Sequence, residues 1–304
     1  MIPAAALIVA LLAQDESVGD NLAAGAILVK GAWASASDSV TPLPERGRQK
    51  GSDYSNDYFG FSYGVARGWI ERFEGPPPSD GGYYVLAQLA PASPSRSAPG
   101  AHLLIAAQDL FFSLSDANNA LELLNNVKDH LDDGYQVERA PKAVRIANHA
   151  FVRFDYASPE SGLHWHVLAM DIRCHVVQFV FTGRSEPLMA HLIHDMNGMR
   201  LLTGEGTSPV CIKDYAASEY LIEREEPIYR EPRFNSVPVR VIVDTQGRIR
   251  HMHFLNAYPD QAKSIADALG RWRFKPYLLN GQPTEVETGI LFGRSTARTA
   301  QVFR

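Results

Sequence analysis

Cysteine is scarce in this 304-residue chain: Cys174 and Cys211 are its only two. That excludes a disulfide-rich framework and a zinc site of four cysteines. It leaves two readings open, one disulfide in an exported protein or two buried free thiols. A basic excess is also missing. The formal net charge is −5 and the isoelectric point about 6.1, so no global positive field exists to neutralise phosphates, and no nucleic-acid partner is expected. Long apolar runs are absent too. The N-terminal run from Met1 to Ala13 has thirteen residues without a polar side chain, against roughly 18 to 20 for a helix that crosses a bilayer. Glycine-rich phosphate loops are missing as well: Gly81-Gly82 and Gly204-Glu205-Gly206 lack the strand-to-helix setting and the Lys-Ser/Thr pair of such loops. No cofactor is expected.

What is present describes an ordinary globular chain. With 45% hydrophobic and 21% charged residues, its length suits two cores of roughly 100 to 150 residues each. The run Met1 to Ala13 has the length of a secretory signal core, although no Lys or Arg precedes it. It predicts export, to the periplasm or beyond; a cytoplasmic location is the alternative if Met1 is not the true start. Charge is divided unevenly. From Arg230 onward twelve basic residues face six acidic ones, which leaves +6 on the tail and −11 on the rest. Such polarity suits an acidic protein partner or an anionic surface.

Residues 14–53 mix Ser, Asp, Ala, Gly and Pro without sustained periodicity and read as a leader. From Tyr54 a domain begins. Phe59, Phe61 and Tyr63 alternate as a strand, followed by Tyr83 to Leu89 and the buried run His102 to Ala107. Ser115 to Leu131 has helical spacing, with Ser115 as N-cap and Leu121, Leu124, Val127 and Leu131 on one face. Four β-rich runs follow, Ala143 to Ile146, Ala150 to Tyr156, Leu163 to Ile172 and Cys174 to Thr182, and then a second helix from Pro187 to Met199. The sum is an antiparallel sheet with few helices, an α+β domain over residues 54–203. Phe59-Gly60-Phe61-Ser62-Tyr63 with Gly68-Trp69, the strand around Phe151 to Phe154, and the closing Met199-Arg200-Leu201 resemble the PsbP-like family of α-β-α sandwiches. The resemblance implies a fold and a non-catalytic accessory role.

Residues 204–231 read as a linker carrying one short helix, Ala217 to Glu226. A second domain fills 232–304. Val237, Val239, Val241 and Val243 alternate through a strand, Asp244-Thr245-Gln246-Gly247 makes a hairpin turn, and Arg248 to Leu255 returns. Pro259 to Leu269 is a helix with Ala262, Ile265, Ala266 and Leu269 on its apolar face. Trp272-Arg273-Phe274-Lys275-Pro276, the Asn280-Gly281 turn and a last strand from Pro283 to Phe292 complete a β-β-α-β order. Trp272 and Phe274 share one side of an extended segment and are expected in the core.

This order resembles the TonB C-terminal domain. The resemblance implies a periplasmic protein-binding module, linked to TonB-type transmembrane transport, that pairs a strand with a short segment of an envelope or outer-membrane partner. The expected contact residues are Thr284, Val286, Thr288 and Ile290 on the last strand, with Arg240, Arg248 and Arg250 on an outward basic face. A transducer of that family also needs a spanning helix and a long Pro-rich spacer. Here a folded domain stands in the spacer's place, so a binding role is expected and catalysis is not.

Two motifs admit chemistry. Gly60-Phe61-Ser62-Tyr63-Gly64 matches a nucleophile-elbow pattern, but the aromatic alternation runs through Ser62 and no helix pattern follows. His164-Trp165-His166 and His251-Met252-His253 each put two imidazoles on one face of a strand, and His191 and His194 are spaced i,i+3 on a helix. No acid lies beside either strand pair in sequence, so exposed strand histidines are expected. A metal-assisted hydrolase using His164 and His166 is the alternative function.

Overall fold

The structure, a computed structural model, describes residues 27–28, 47–72, 82–93, 101–113, 115–201, 209–217, 219–229 and 235–293. The apolar run 1–13 and most of the expected leader lie outside them. Two compact units divide the chain, the first ending at Gly206 and the second running on from Thr207. The earliest described strand, β1 (Ile27–Leu28), belongs to the second unit, where it pairs antiparallel with Asn256–Ala257. Among the described residues no helix is long and apolar enough to cross a membrane.

The first unit begins with β2 (Arg48–Lys50), β3 (Asp53–Asn56), β4 (Phe61–Gly64) and β5 (Trp69–Glu71). It continues through β6 (Tyr83–Pro91), β7 (His102–Asp109), α1 (Ala120–Asp129), β8 (Gln136–Ile146), β9 (His149–Ser158), β10 (Leu163–Ile172), β11 (His175–Gly183), α2 (Glu186–Asp195) and β12 (Arg200–Leu201). Seven strands form one sheet in the order β5-β6-β7-β11-β10-β9-β8, and four form a smaller one, β12-β4-β3-β2. Every pairing in both is antiparallel. Side chains alternate across a pleated strand, so each face of the large sheet needs its own cover. On one face Leu123, Leu124 and Val127 of α1 pack with Phe154, Tyr156, Val167 and Val180. On the other, Tyr54, Phe61 and Tyr63 of the small sheet and Met189 and Leu192 of α2 pack with Leu168, Phe179 and Phe181. Consequently β11 is buried along its whole length.

The helices differ from expectation at their ends. Ser115 does not cap α1; its Oγ accepts the Ala117 N–H at 3.2 Å and closes a local turn. Asn119 is the N-cap, accepting the Glu122 N–H at 2.9 Å, while Asp171 accepts the Ala120 N–H at 2.8 Å. The late start turns the helix: Ala120, Leu123, Leu124 and Val127 face inward, and Leu121 is exposed. Ser185 caps α2, which stops at Asp195 and passes into a 3₁₀ turn, Met196–Gly198.

The second unit contains β13 (Val210–Cys211), a 3₁₀ turn at Tyr215–Ala217, β14 (Leu221–Glu223), β15 (Val237–Val243), β16 (Ile249–Phe254) and β17 (Asn256–Ala257). There follow α3 (Pro259–Leu269), β18 (Arg273–Phe274), β19 (Leu278–Leu279), β20 (Gln282–Pro283) and β21 (Val286–Phe292). The main sheet has the order β13-β21-β15-β16, and β14-β18 and β19-β20 are two-stranded ribbons. Ala262, Ile265 and Leu269 of α3 are fully buried against Val237, Val239, Val241 and Val243. Asn280 and Gly281 both have positive φ, as a tight β19-β20 hairpin requires.

Residues 209–229, expected as a linker with a helix at Ala217 to Glu226, instead form part of this unit. Val210 and Cys211 extend the sheet, Leu221 and Glu223 pair with Phe274 and Arg273, and Tyr215 stacks on Phe274 with ring centroids 5.3 Å apart. Trp272 is 1% exposed, and its indole N–H donates to the Glu225 carbonyl at 2.8 Å. A large ring with one polar atom can be buried only if that atom finds a partner, and the supposed linker supplies it.

Gly247 shows how tightly the hairpin meets the rest. Asp244 Oδ1 accepts the N–H groups of Gln246 and Arg248 at 2.9 and 2.8 Å, and Gly247 adopts φ +78°. A Cβ at Gly247 would lie 1.9 Å from the Phe274 carbonyl oxygen, whereas one at Gly281 (φ +81°) would meet nothing. Gly281→Ala should therefore cost only the left-handed backbone penalty of about 1 to 2 kcal/mol. Gly247→Ala should cost that and a backbone displacement of about 1 to 3 kcal/mol more. Denaturant unfolding of the two variants checks the difference, and equal losses would contradict the close approach.

Candidate functional site

In the second unit the expected binding residues do not form one exposed surface. Arg240 is 3% exposed and forms an ion pair with Glu287, its Nε donating to Oε1 at 3.0 Å. The expectation that Arg240 points outward fails because β15 is buried on both faces, not on one. Arg248 and Arg250 are exposed, and Arg250 reaches Glu285 at 2.9 Å. Thr284 precedes the last strand; its N–H donates to the Tyr277 carbonyl at 2.9 Å and its Oγ1 to the Gln282 carbonyl at 3.0 Å.

Val286, Thr288 and Ile290 are buried, and Thr288 Oγ1 donates to the Lys213 carbonyl at 3.2 Å. The edge of β21 expected to receive a partner is already partly taken. Val210 and Cys211 run parallel to Val286 and Glu287, with Val210 N–H to Glu285 O at 2.8 Å and Ile212 N–H to Glu287 O at 3.1 Å. The other margin of this sheet, β16, pairs only with β15 among the described residues. His251 and His253 on it are buried, at 7% and 9% exposure, which corrects the expectation of exposed histidines there.

In the first unit the histidines of β10 meet acids that lie far away in sequence. Alternation puts His164 and His166 on one face, while Trp165 enters the core on the other. His164 lies opposite Gly183 of β11 and Ala157 of β9, two small residues that leave room over its ring. Gly183 also leaves room for the Met189 side chain of α2, since a Cβ there would come 2.7 Å from Met189 Cε. The first residue of α2 is Glu186, and its Oε1 lies 2.8 Å from His164 Nδ1. The register of β8 slips between Val137 and Arg139, and the extra residue, Glu138, brings Oε1 to 3.1 Å from the same nitrogen. One atom from each of these three side chains lies within 4.8 Å of the others, which suits a divalent cation.

His166 stands one step deeper. Its Nδ1 is 3.2 Å from Asp155 Oδ1 and its Nε2 3.8 Å from Glu186 Oε2. Burial would raise the Asp155 carboxyl, but His166 and Arg153 beside it outweigh burial and hold it down at about 2. Arg139 and Arg153 each place Nε 2.9 Å from Asp155. Asp155 is therefore an ionised carboxylate fixed in orientation. Glu138, Asp155 and Glu186 were not anticipated. Ser185-Glu186-Pro187 is legible as a helix start with an acid in its first turn, but neither the bulge at Glu138 nor the alignment of Asp155 with His166 has a local signal. Ser62 sits in β4 between Ser55 and Arg200, and the chain runs on from β4 into β5 with no helix between them. A nucleophile elbow is not formed.

The two kinds of arginine should respond differently to truncation. Arg240→Ala leaves Glu287 buried without its ion-pair partner and should cost about 3 to 5 kcal/mol. Arg250→Ala, at a half-exposed pair, should cost less than about 1 kcal/mol. Urea midpoints at constant m-value check this, and a small loss at Arg240 would overturn the buried pair.

No protein-family profile and no curated protein matches the sequence. Among solved structures, the solution structure of cyanobacterial PsbP (CyanoP) from Synechocystis sp. PCC 6803 is similar to part of it. That similarity has 16% sequence identity and a TM-score of 0.35, and covers 50% of this chain and 94% of that one. It is a weak structural resemblance to PsbP, in a chain whose described residues form mixed α+β structure dominated by antiparallel sheets.

Proposed function

We propose that this chain is a non-catalytic, exported protein of a bacterial cell envelope whose C-terminal β-β-α-β unit, similar in order to the TonB C-terminal domain, binds an extended protein segment. The observation that carries the reading is the six-residue strand β16, Ile249–Phe254, which stands last in the sheet order β13-β21-β15-β16 with exposed arginines at its start. A strand of this length at the end of a sheet order can template strand addition. Arg248 and Arg250 stand exposed at its start, so the segment it takes carries acidic residues. β16 is the proposed binding margin in preference to β21, where Val210 and Cys211 already pair. Export is supported by the cysteines, neither of which is a free thiol, as suits an oxidising compartment.

Selection of a displayed library of random peptides against the full chain tests the binding reading. Enriched peptides should be acidic and should slow amide exchange within Ile249–Phe254. A double Arg248→Glu, Arg250→Glu variant should bind them roughly five- to tenfold more weakly at low salt. No enrichment, or protection confined to other strands, would sink the proposal. Export is tested separately by fractionation and thiol labelling: protein from the envelope fraction should take up a maleimide only after reduction. Labelling without reduction, or recovery in the cytoplasm, would argue against it.

A further inference from the structure

We infer that Glu138, His164, His166 and Glu186 form a binding site for one divalent transition-metal ion of the zinc class, with Asp155 as the carboxylate that orients His166. Three of these side chains converge at the surface. The fourth is what distinguishes the place from a chance acidic cluster: His166 is 4% exposed, its Nδ1 side is taken by Asp155, and its buried Nε2 makes no hydrogen bond and is directed at Glu186. A buried imidazole nitrogen without a hydrogen bond is costly, and a cation accepting the Nε2 lone pair removes that cost.

Three donor spacings are compatible with four-coordination. Metal–nitrogen and metal–oxygen bonds of about 2.0 to 2.2 Å in a tetrahedron put neighbouring donors roughly 3.3 to 3.6 Å apart. The donor separations here, 2.8 Å for His164 to Glu186, 3.1 Å for His164 to Glu138 and 3.8 Å for His166 to Glu186, bracket that value. Side-chain rotation of exposed Glu138 and Glu186 covers the difference. Two neutral imidazoles and two carboxylates balance a divalent charge, and this nitrogen-oxygen set suits zinc better than calcium or magnesium, which take oxygen ligands. Asp155 beside Nδ1 completes a carboxylate–histidine–metal chain, with Arg139 and Arg153 holding the carboxylate. All four donors come from the protein, so the site is closed and stabilising, without the open position that metal-assisted hydrolysis needs.

The test uses the full chain stripped with chelator. Zinc(II) titrated calorimetrically should bind one ion per chain with a dissociation constant in the micromolar range or below, and should raise the melting temperature. Cobalt(II) in its place should give the intense visible bands of a four-coordinate ion. His164→Ala and Glu186→Gln should each weaken zinc at least tenfold, and Asp155→Asn about ten- to a hundredfold. His191→Ala, on the exposed side of α2, should leave affinity unchanged. Because Glu186 is exposed, its variant retains the fold and keeps the test decisive if a His166 variant does not. Absence of one-to-one binding below about 100 μM zinc would overturn the site. So would affinity unaltered by both His164→Ala and Glu186→Gln, or a cobalt spectrum of six-coordinate type.

Discussion

The unpaired edge of a β-sheet is the constraint on which most of this structure turns. Both units rest on mainly antiparallel sheets, and every sheet that does not close on itself has two edge rows of backbone donors and acceptors that would otherwise recruit another chain. The large sheet disposes of its margins in two ways. One ends in β5, only three residues long. The other is β8, which is mostly exposed, carries Arg139, Lys142 and Arg145, and slips register twice along its length. Bulges and outward charge make a poor template for a further strand. In the second unit β13 closes half of one margin, and β16 is left as the other. Strand addition at β16, as proposed, would use the longer margin of this sheet.

The same device produces the metal-ligand geometry. In a regular ladder, Glu138 on β8 would be separated from β10 by the full width of β9. The register slip at Val137 to Arg139 releases its side chain, and Ala157 on the intervening strand does not block it. Blunting the edge and delivering the acid are thus one structural event. Glu186 arrives by a parallel route: Gly183 admits Met189, α2 settles close to the end of β11, and its first residue meets His164.

How much of this could be read beforehand varied with the length of the element. β10, β15 and α3 fall where alternation and helical spacing put them, because each is long enough for its periodicity to be set by its own residues. The segment 209–229, within the stretch 204–231 that reads as a linker, has pieces two or three residues long that take their form from partners: β13 from β21, β14 from β18, Tyr215 from Phe274. Alternation reads one face of β15 as buried and the other as only partly so, which leaves Arg240 accessible, whereas both faces are buried. The paired histidines of β10 were visible, but their acids lie on other elements, and only the cross-strand register brings them together. Residue type was legible and convergence was not.

That distribution has an energetic meaning. Glu138 and His164 are separated by 26 residues along the chain, and Glu186 lies on a helix beyond a further strand. A contact among them closes long loops, whose entropy must be offset by whatever holds the side chains together. Surface hydrogen bonds between a half-buried imidazole and two exposed carboxylates contribute little in water. A cation gripping all of them contributes far more, and it would act where the sheet is weakest, tying the bulged edge strand and the first turn of α2 to the buried β10. The same edge that had to be distorted to prevent pairing with another molecule is then secured from within.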